Sequence, residues 1–163
     1  MDLVGPGALE PHFEDSMAAV SDLNAAGSWV DLGAGAGFPG LVFAALNPQA
    51  NIVLVESRQK RAVFLSQAIR ATKLKNVSLF HGRTEAITQT FDGIISRAYK
   101  PPLEYLKDAR RLSTPSSLAV LLLSSTQETP QSPGWRIVSE KEYSTETSAR
   151  KRVILTPEGS ATC

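Results

Sequence analysis

The sequence predicts an α/β protein: a Rossmann-like, seven-stranded sheet, parallel for most of its width, with helices on both faces. Three observations lead there. Five short apolar runs (29–32, 51–56, 77–81, 91–99 and 117–123) alternate with segments whose apolar residues have helical spacing. The first run leads into four glycines within residues 33–40, and the unbroken Leu41-Val42-Phe43-Ala44-Ala45-Leu46 follows as a buried helix. Trp135-Arg136-Ile137-Val138 and Arg152-Val153-Ile154-Leu155 then close the chain as two strands with no helix between them, which favours an antiparallel pair.

The 163 residues are expected to form one domain. Residues 1–26 make a helical lead-in, 27–125 the ligand-binding core and 135–157 the C-terminal strands. A formal charge of +1 gives no global basic field, so any nucleic-acid contact must come from a local patch. Cys163 is the single cysteine, which excludes an internal disulfide framework and a thiolate metal cluster. No metal site is expected. The longest apolar run, Leu118 to Leu123, suits a strand and is too short for a membrane span, and no signal peptide is visible. A cytoplasmic monomer is expected.

Taken in order, Leu9 to Leu23 reads as a helix with Met17, Val20 and Leu23 on one face and Phe13 a turn earlier. His12 and Asp15 share a side of it. The ordinary reading is a surface His–Asp neighbourhood; the alternative is a helix flanking the mouth of a binding site. Asn47-Pro48 ends the second helix, and residues 51–56 run as a strand into Glu56. Ser57 is placed to cap a helix with Phe64, Gln67, Ala68 and Ala71 along one side. Lys60 and Arg61 fall in its first turn, where cations oppose the helix dipole; they are either solvated or face an anion. The third strand, 77–81, runs into Gly82-Arg83-Thr84-Glu85. The fourth ends at the switch point with Arg97, a long cation aimed at the crevice. Lys100-Pro101-Pro102 precedes a helix over Leu103 to Leu112, whose polar side carries Lys107, Arg110 and Arg111. Residues 117–123 form the fifth strand and 124–134 a polar loop.

A strand, a glycine turn and a helix N-terminus together make a cradle with backbone N–H groups facing a nucleotide. Gly35-x-Gly37-x-x-Gly40 formally fits the dinucleotide fingerprint. Asp31-x-Gly33-x-Gly35-x-Gly37 instead resembles the first motif of S-adenosylmethionine methyltransferases. A pyrophosphate needs the helix dipole unopposed, whereas the ammonium group of S-adenosylmethionine is suited by the Asp31 carboxylate, acting directly or by ordering the loop. Glu56 follows the glycine turn by roughly 20 residues, the offset at which an acid reaches ribose hydroxyls, and serves either ligand. In an S-adenosylmethionine enzyme Thr84 and Glu85 would lie beside adenine. S-adenosylmethionine is the favoured cofactor; a dinucleotide-dependent oxidoreductase is the less favoured alternative.

The ordered series Asp31-Leu32-Gly33-Ala34-Gly35-Ala36-Gly37-Phe38-Pro39-Gly40, Gln59-Lys60-Arg61-x-x-Phe64-Leu65, Leu74-Lys75-Asn76-Val77, Arg83-x-Glu85 and Ser96-Arg97-Ala98 resembles the bacterial ribosomal small-subunit methyltransferase G family (glucose-inhibited division protein B). His12-Phe13-Glu14-Asp15-Ser16 is similar to that family's His-x-x-Asp-Ser, and Arg150-Lys151-Arg152-Val153-Ile154 to its closing basic strand. The resemblance implies a class I S-adenosylmethionine-dependent methyltransferase sheet. It also implies methylation of guanine N7 in 16S ribosomal RNA of the small subunit. Cofactor contacts would fall on Gly33, Phe38, Thr84, Glu85 and Arg97; the reading of the residues themselves adds Asp31, Gly35, Gly37 and Glu56. Arg97 is the expected catalytic group, holding cofactor or guanine, and Lys60, Arg61, Arg83 and Lys100 are expected on RNA phosphates. Ser124-Ser125 stands where the family carries Lys-Gly, and about 28 residues precede the first motif, fewer than is usual there. These departures motivate an alternative, a catalytically weak S-adenosylmethionine-binding module that interacts with RNA.

Overall fold

The computed structural model describes residues 9–159; Gly5-Pro6-Gly7 and Cys163 lie outside them. Among these residues the helices are α1 (Leu9–Val20), α2 (Gly40–Leu46), α3 (Gln59–Thr72) and α4 (Pro102–Arg111), with a 3-10 turn at Thr84–Ala86. The strands are β1 (Gly27–Leu32), β2 (Ala50–Glu56), β3 (Val77–His81), β4 (Phe91–Arg97), β5 (Ser113–Ser124), β6 (Trp135–Ser144) and β7 (Ala149–Pro157). They form one sheet in the order β3-β2-β1-β4-β5-β7-β6. The first five are parallel; β7 is antiparallel to both β5 and β6. The short 145–148 connection between β6 and β7 permits nothing else, because a parallel crossover needs a dozen or more residues. The chain runs outward from β1 to β3 and then returns to β4 beside β1, so the order reverses between β1 and β4. Crevices for ligands open at the carboxyl ends of strands at such a reversal.

Burial on both faces explains the continuous apolar run in β5. Ala119, Leu121 and Leu123 pack with Tyr105, Leu106, Ala109 and Leu112 around α4. Val120 and Leu122 belong to the opposite cluster, with Val20 of α1, Phe43 of α2 and Leu65 of α3. Tyr105 is fully buried in α4 and its hydroxyl donates to the Ile94 carbonyl at 2.6 Å, tying α4 to β4.

Several local expectations change. The buried residues of α3 are Ala62 and Leu65, while Gln67 and Ala71 face solvent. The Phe64–Ala71 stripe follows the helix period equally well, and only the sheet's position chooses between the two. Ser57 does not cap α3; Arg58 holds the N-cap position, and its N–H donates to Glu56 Oε1 at 2.8 Å. Phe13 is half exposed and does not join the apolar face of α1. Asp15 is buried, which overturns the surface reading of the His12–Asp15 pair. Strand β6 runs six residues past Val138 because it is an edge strand whose polar side chains alternate with half-buried ones, which hides it from an apolar-run search.

Candidate functional site

The glycine turn is shaped by an acid beneath it. Asp31, fully buried at the end of β1, accepts the Gly40 N–H on Oδ2 at 2.9 Å. A Cβ at Gly40 would fall 2.6 Å from that oxygen and 2.3 Å from Leu54 Cδ2, so only glycine lets α2 begin this close. Burial pushes the Asp31 carboxyl up to about 7, with the Gly40 N–H pulling the other way. Its Oδ1 has no hydrogen-bond partner. The acid therefore orders the loop and opposes the dipole at the N-terminus of α2. That seat, already taken by a carboxyl group, does not suit a pyrophosphate.

Glu56, at the end of β2, ties the next layer together. Its Oε2 accepts the Gly35 N–H at 3.1 Å and its Oε1 the Arg58 N–H. Beside it opens a cleft of about 310 Å³, lined in part by Gly33, Glu56, Arg61, Arg83, Thr84 and Glu85. That volume sits at the small end of the ~300–1,000 Å³ typical of ligand pockets. Gly33 adopts φ +70, and a Cβ there would meet Tyr99 Cδ2 at 2.6 Å; the turn needs the left-handed conformation and the tyrosine needs the space. Tyr99 is fastened in turn: its hydroxyl donates to Thr84 Oγ1 at 2.8 Å or to Asp108 Oδ2 at 3.1 Å. Arg111 steadies Thr84 from below, donating to the Thr84 and Ile87 carbonyls at 2.7 and 2.6 Å.

A second cavity, about 380 Å³, lies across the same wall. Ala98, Tyr99 and Lys100 line both hollows, and Ala98 holds φ +54, a left-handed conformation rare outside glycine. Arg97, Leu121, Gln127 and Arg150 complete the walls that matter here. Arg97 donates to Asp15 Oδ2 at 2.8 Å and lies 3.2 Å from His12 Nδ1. Burial and the Arg97 guanidinium hold the His12 imidazole below its ordinary range. The His12 ring also stacks on Phe38 of the glycine loop, centroids 6.0 Å apart.

The structure thus gathers Gly33, Glu56, Arg61, Arg83, Thr84, Glu85 and Lys100 around one cleft. Gly35 borders it through Glu56, with the Arg61 guanidinium 3.9 Å from where its Cβ would lie. Asp31 sits beneath, Gly37 turns toward Leu41 and Leu65, and Phe38 faces α1. Arg97 lines the second cavity and not the first. Lys60 is exposed on α3 and lines neither. Lys100, expected on a phosphate, is engaged within the chain. It reaches Asp108 at 2.8 Å and Glu85 at 3.3 Å, and the Asp108 carboxylate holds its ammonium above the usual lysine range. Tyr99 and Asp108 have no site role in the sequence reading, which places Arg150 only in the closing basic strand; the His12–Asp15 spacing and the His-x-x-Asp-Ser resemblance signalled that α1 takes part.

Seven strands in this order, with β7 reversed and a crevice where β1 and β4 part, define a class I methyltransferase fold. Among solved structures, MtNAS in complex with MTA and tNA superposes with a TM-score of 0.72 at 14% identity, over 91% of this chain and 61% of that one. A SAM-dependent methyltransferase from Aquifex aeolicus gives 0.63 at 14% identity, over 83% and 85%. The chain belongs to the GidB family, rRNA small subunit methyltransferase G, whose family model matches residues 6–151. It is 39% identical over 126 residues to the ribosomal RNA small subunit methyltransferase G of Erythrobacter litoralis, covering 74% of this chain and 61% of that protein. To the protein of the same name from Polaromonas naphthalenivorans it is 38% identical over 105 residues, covering 59% and 48%. The chain therefore spans about half to three fifths of the length of these relatives. Among the described residues, no helix is long and apolar enough to cross a membrane.

Proposed function

We propose that this chain is an S-adenosylmethionine-dependent methyltransferase acting on N7 of a guanine in 16S ribosomal RNA. The observation that carries the reading is the pair of hollows sharing the Ala98–Tyr99–Lys100 wall at the sheet's switch point, one holding Glu56 and the other Arg97. A group transferred between two bound molecules needs such adjoining seats.

The residues fit the cofactor. Glu56 presents a carboxylate in the cleft for ribose hydroxyls, held there by the Gly35 N–H, and Gly33 lines the same cleft with backbone alone. Thr84 and Glu85 supply the adenine end. Asp31, with an unpartnered buried oxygen, acts through the loop it orders. S-adenosylmethionine supplies a methyl group activated by a sulfonium. Guanine N7 offers a lone pair and carries no proton, so no residue has to serve as general base. The chain's contribution is orientation. Arg97, fixed from behind by Asp15, presents its guanidinium to the base; Phe38 and Gly37 shape the loop behind it. Arg61, Arg83 and the exposed Lys60 meet RNA phosphates, and Lys100 serves as a strut of the shared wall. The guanine enters unpaired, because the deep A-form groove hides N7.

Calorimetric titration with S-adenosylhomocysteine, paired with transfer of labelled methyl to 16S RNA or small subunits, tests this. Binding and transfer to a single guanine are expected. Binding without transfer would select the RNA-interaction module, and binding of NAD instead would select an oxidoreductase.

A further inference from the structure

Arg97 and Arg150 come from strands β4 and β7 and both line the second cavity. Two guanidiniums facing one hollow repel each other and spread unless something reconciles them. A single carboxylate does so. Asp15, on α1 and 5% exposed at its side chain, places Oδ2 2.8 Å from Arg97 and Oδ1 3.5 Å from Arg150 Nε. The Arg150 contact is longer than a hydrogen bond, and Asp15 Oδ1 and Arg150 Nε both stay without a hydrogen-bond partner. So the acid grips Arg97 firmly and Arg150 loosely. From the other side His12, one turn earlier, meets the second Arg97 nitrogen and stacks on Phe38. Helix α1 otherwise contributes Ser16, Ala19 and Val20 to the core, with Met17 packed against it, all without charge. A buried acid aimed between two cationic walls of a cavity is costly if its only task is to hold a helix in place, because an apolar residue would do that without desolvating a charge.

We propose that Asp15 is a positioning residue for the methyl-acceptor cavity, holding the Arg97 guanidinium at a fixed angle to the incoming base while leaving Arg150 free to shift toward the RNA. This rests on the acceptor assignment of the second cavity. Asp15 touches neither substrate nor cofactor and acts through Arg97.

A double-mutant cycle on methyl transfer decides it, using the full chain with Asp15→Asn, Arg97→Gln and both together. Asp15→Asn is expected to lower kcat at least tenfold, with S-adenosylhomocysteine affinity and the KM for S-adenosylmethionine within twofold. Asp15→Glu is expected to recover a third or more of the lost rate. In the Arg97→Gln background, Asp15→Asn is expected to cost less than twofold. An undiminished kcat in Asp15→Asn, or the same tenfold loss without Arg97, overturns the proposal. So does loss of S-adenosylhomocysteine binding in both Asp15 variants, which would mark a merely structural residue. The guanidinium Nη–H signals of Arg97 by NMR give a readout without turnover, because the Asp15 contact is made through Nη1: slow solvent exchange in the wild type and fast exchange in Asp15→Asn are expected, and equal rates overturn the assignment. A wild type that binds S-adenosylhomocysteine, transfers no methyl and still shows this protection would refute the enzyme reading and leave the Asp15–Arg97 arrangement standing.

Discussion

The two hollows share a wall, yet they are built in opposite ways. The first is made mostly of backbone turns at three neighbouring strand ends, each written as a short run: residues 31–40 after β1, 56–61 after β2 and 82–85 after β3. Its central acid, Glu56, is satisfied by N–H donors of those same turns, Gly35 and Arg58. The second is assembled from side chains far apart in the chain, with Asp15, Arg97 and Arg150 meeting across α1, β4 and β7. A rigid, locally encoded seat suits a ligand that is the same in every reaction cycle. A seat held by ion pairs between separate elements suits a large acceptor, because its walls can adjust without disturbing the first.

The largest expected effect falls on the locally built side. Gly40→Ala puts a methyl group against Asp31 and Leu54 and should cost about 3 kcal/mol of stability. Denaturant unfolding measures it, and an unchanged midpoint would mean that the loop is softer than the comparison holds. Glu56→Ala removes two N–H acceptors and the carboxylate in the cleft. S-adenosylhomocysteine affinity should fall tenfold to a hundredfold, about 1.4–2.8 kcal/mol, by calorimetry. Retention of full affinity would break the rigid-seat description.

Asp31 offers a test by pH. Its folded pKa of about 7 lies above the ordinary aspartate value, so in the window between the two the unfolded chain has released the proton and the folded one has not. Stability from this group is thus greatest below about pH 4 and falls as pH rises toward 7, with a slope approaching 1.4 kcal/mol per pH unit, about one proton's worth. Asp31→Asn keeps an acceptor for Gly40 and should abolish that slope; thermal unfolding between pH 5 and 6 reads the difference. The smallest effect is expected at the shared wall. Tyr99→Phe leaves the ring beside Gly33 and removes only the hydroxyl contacts to Thr84 and Asp108. A loss of about 1 kcal/mol in stability and less than a threefold change in S-adenosylhomocysteine affinity are expected. A larger change in affinity would show that the hydroxyl network, and not the ring, sets the cleft.

The sequence by itself determined the order of strands and helices, the glycine turn over Asp31 and the placing of Glu56 beside it. Each of these depends on neighbours within a few residues or on apolar periodicity, which a linear chain displays. It did not show which face of α3 is buried, because Ala62–Leu65 and Phe64–Ala71 both follow the helix period and only the sheet underneath selects one. Nor did it show that Lys100 is spent on Asp108, or that Asp15 is buried against Arg97. A charge is free or paired according to what the fold brings against it. For Asp15 the partner lies 82 residues away, a separation that no local pattern records and that only the packing of α1 on the strand ends closes.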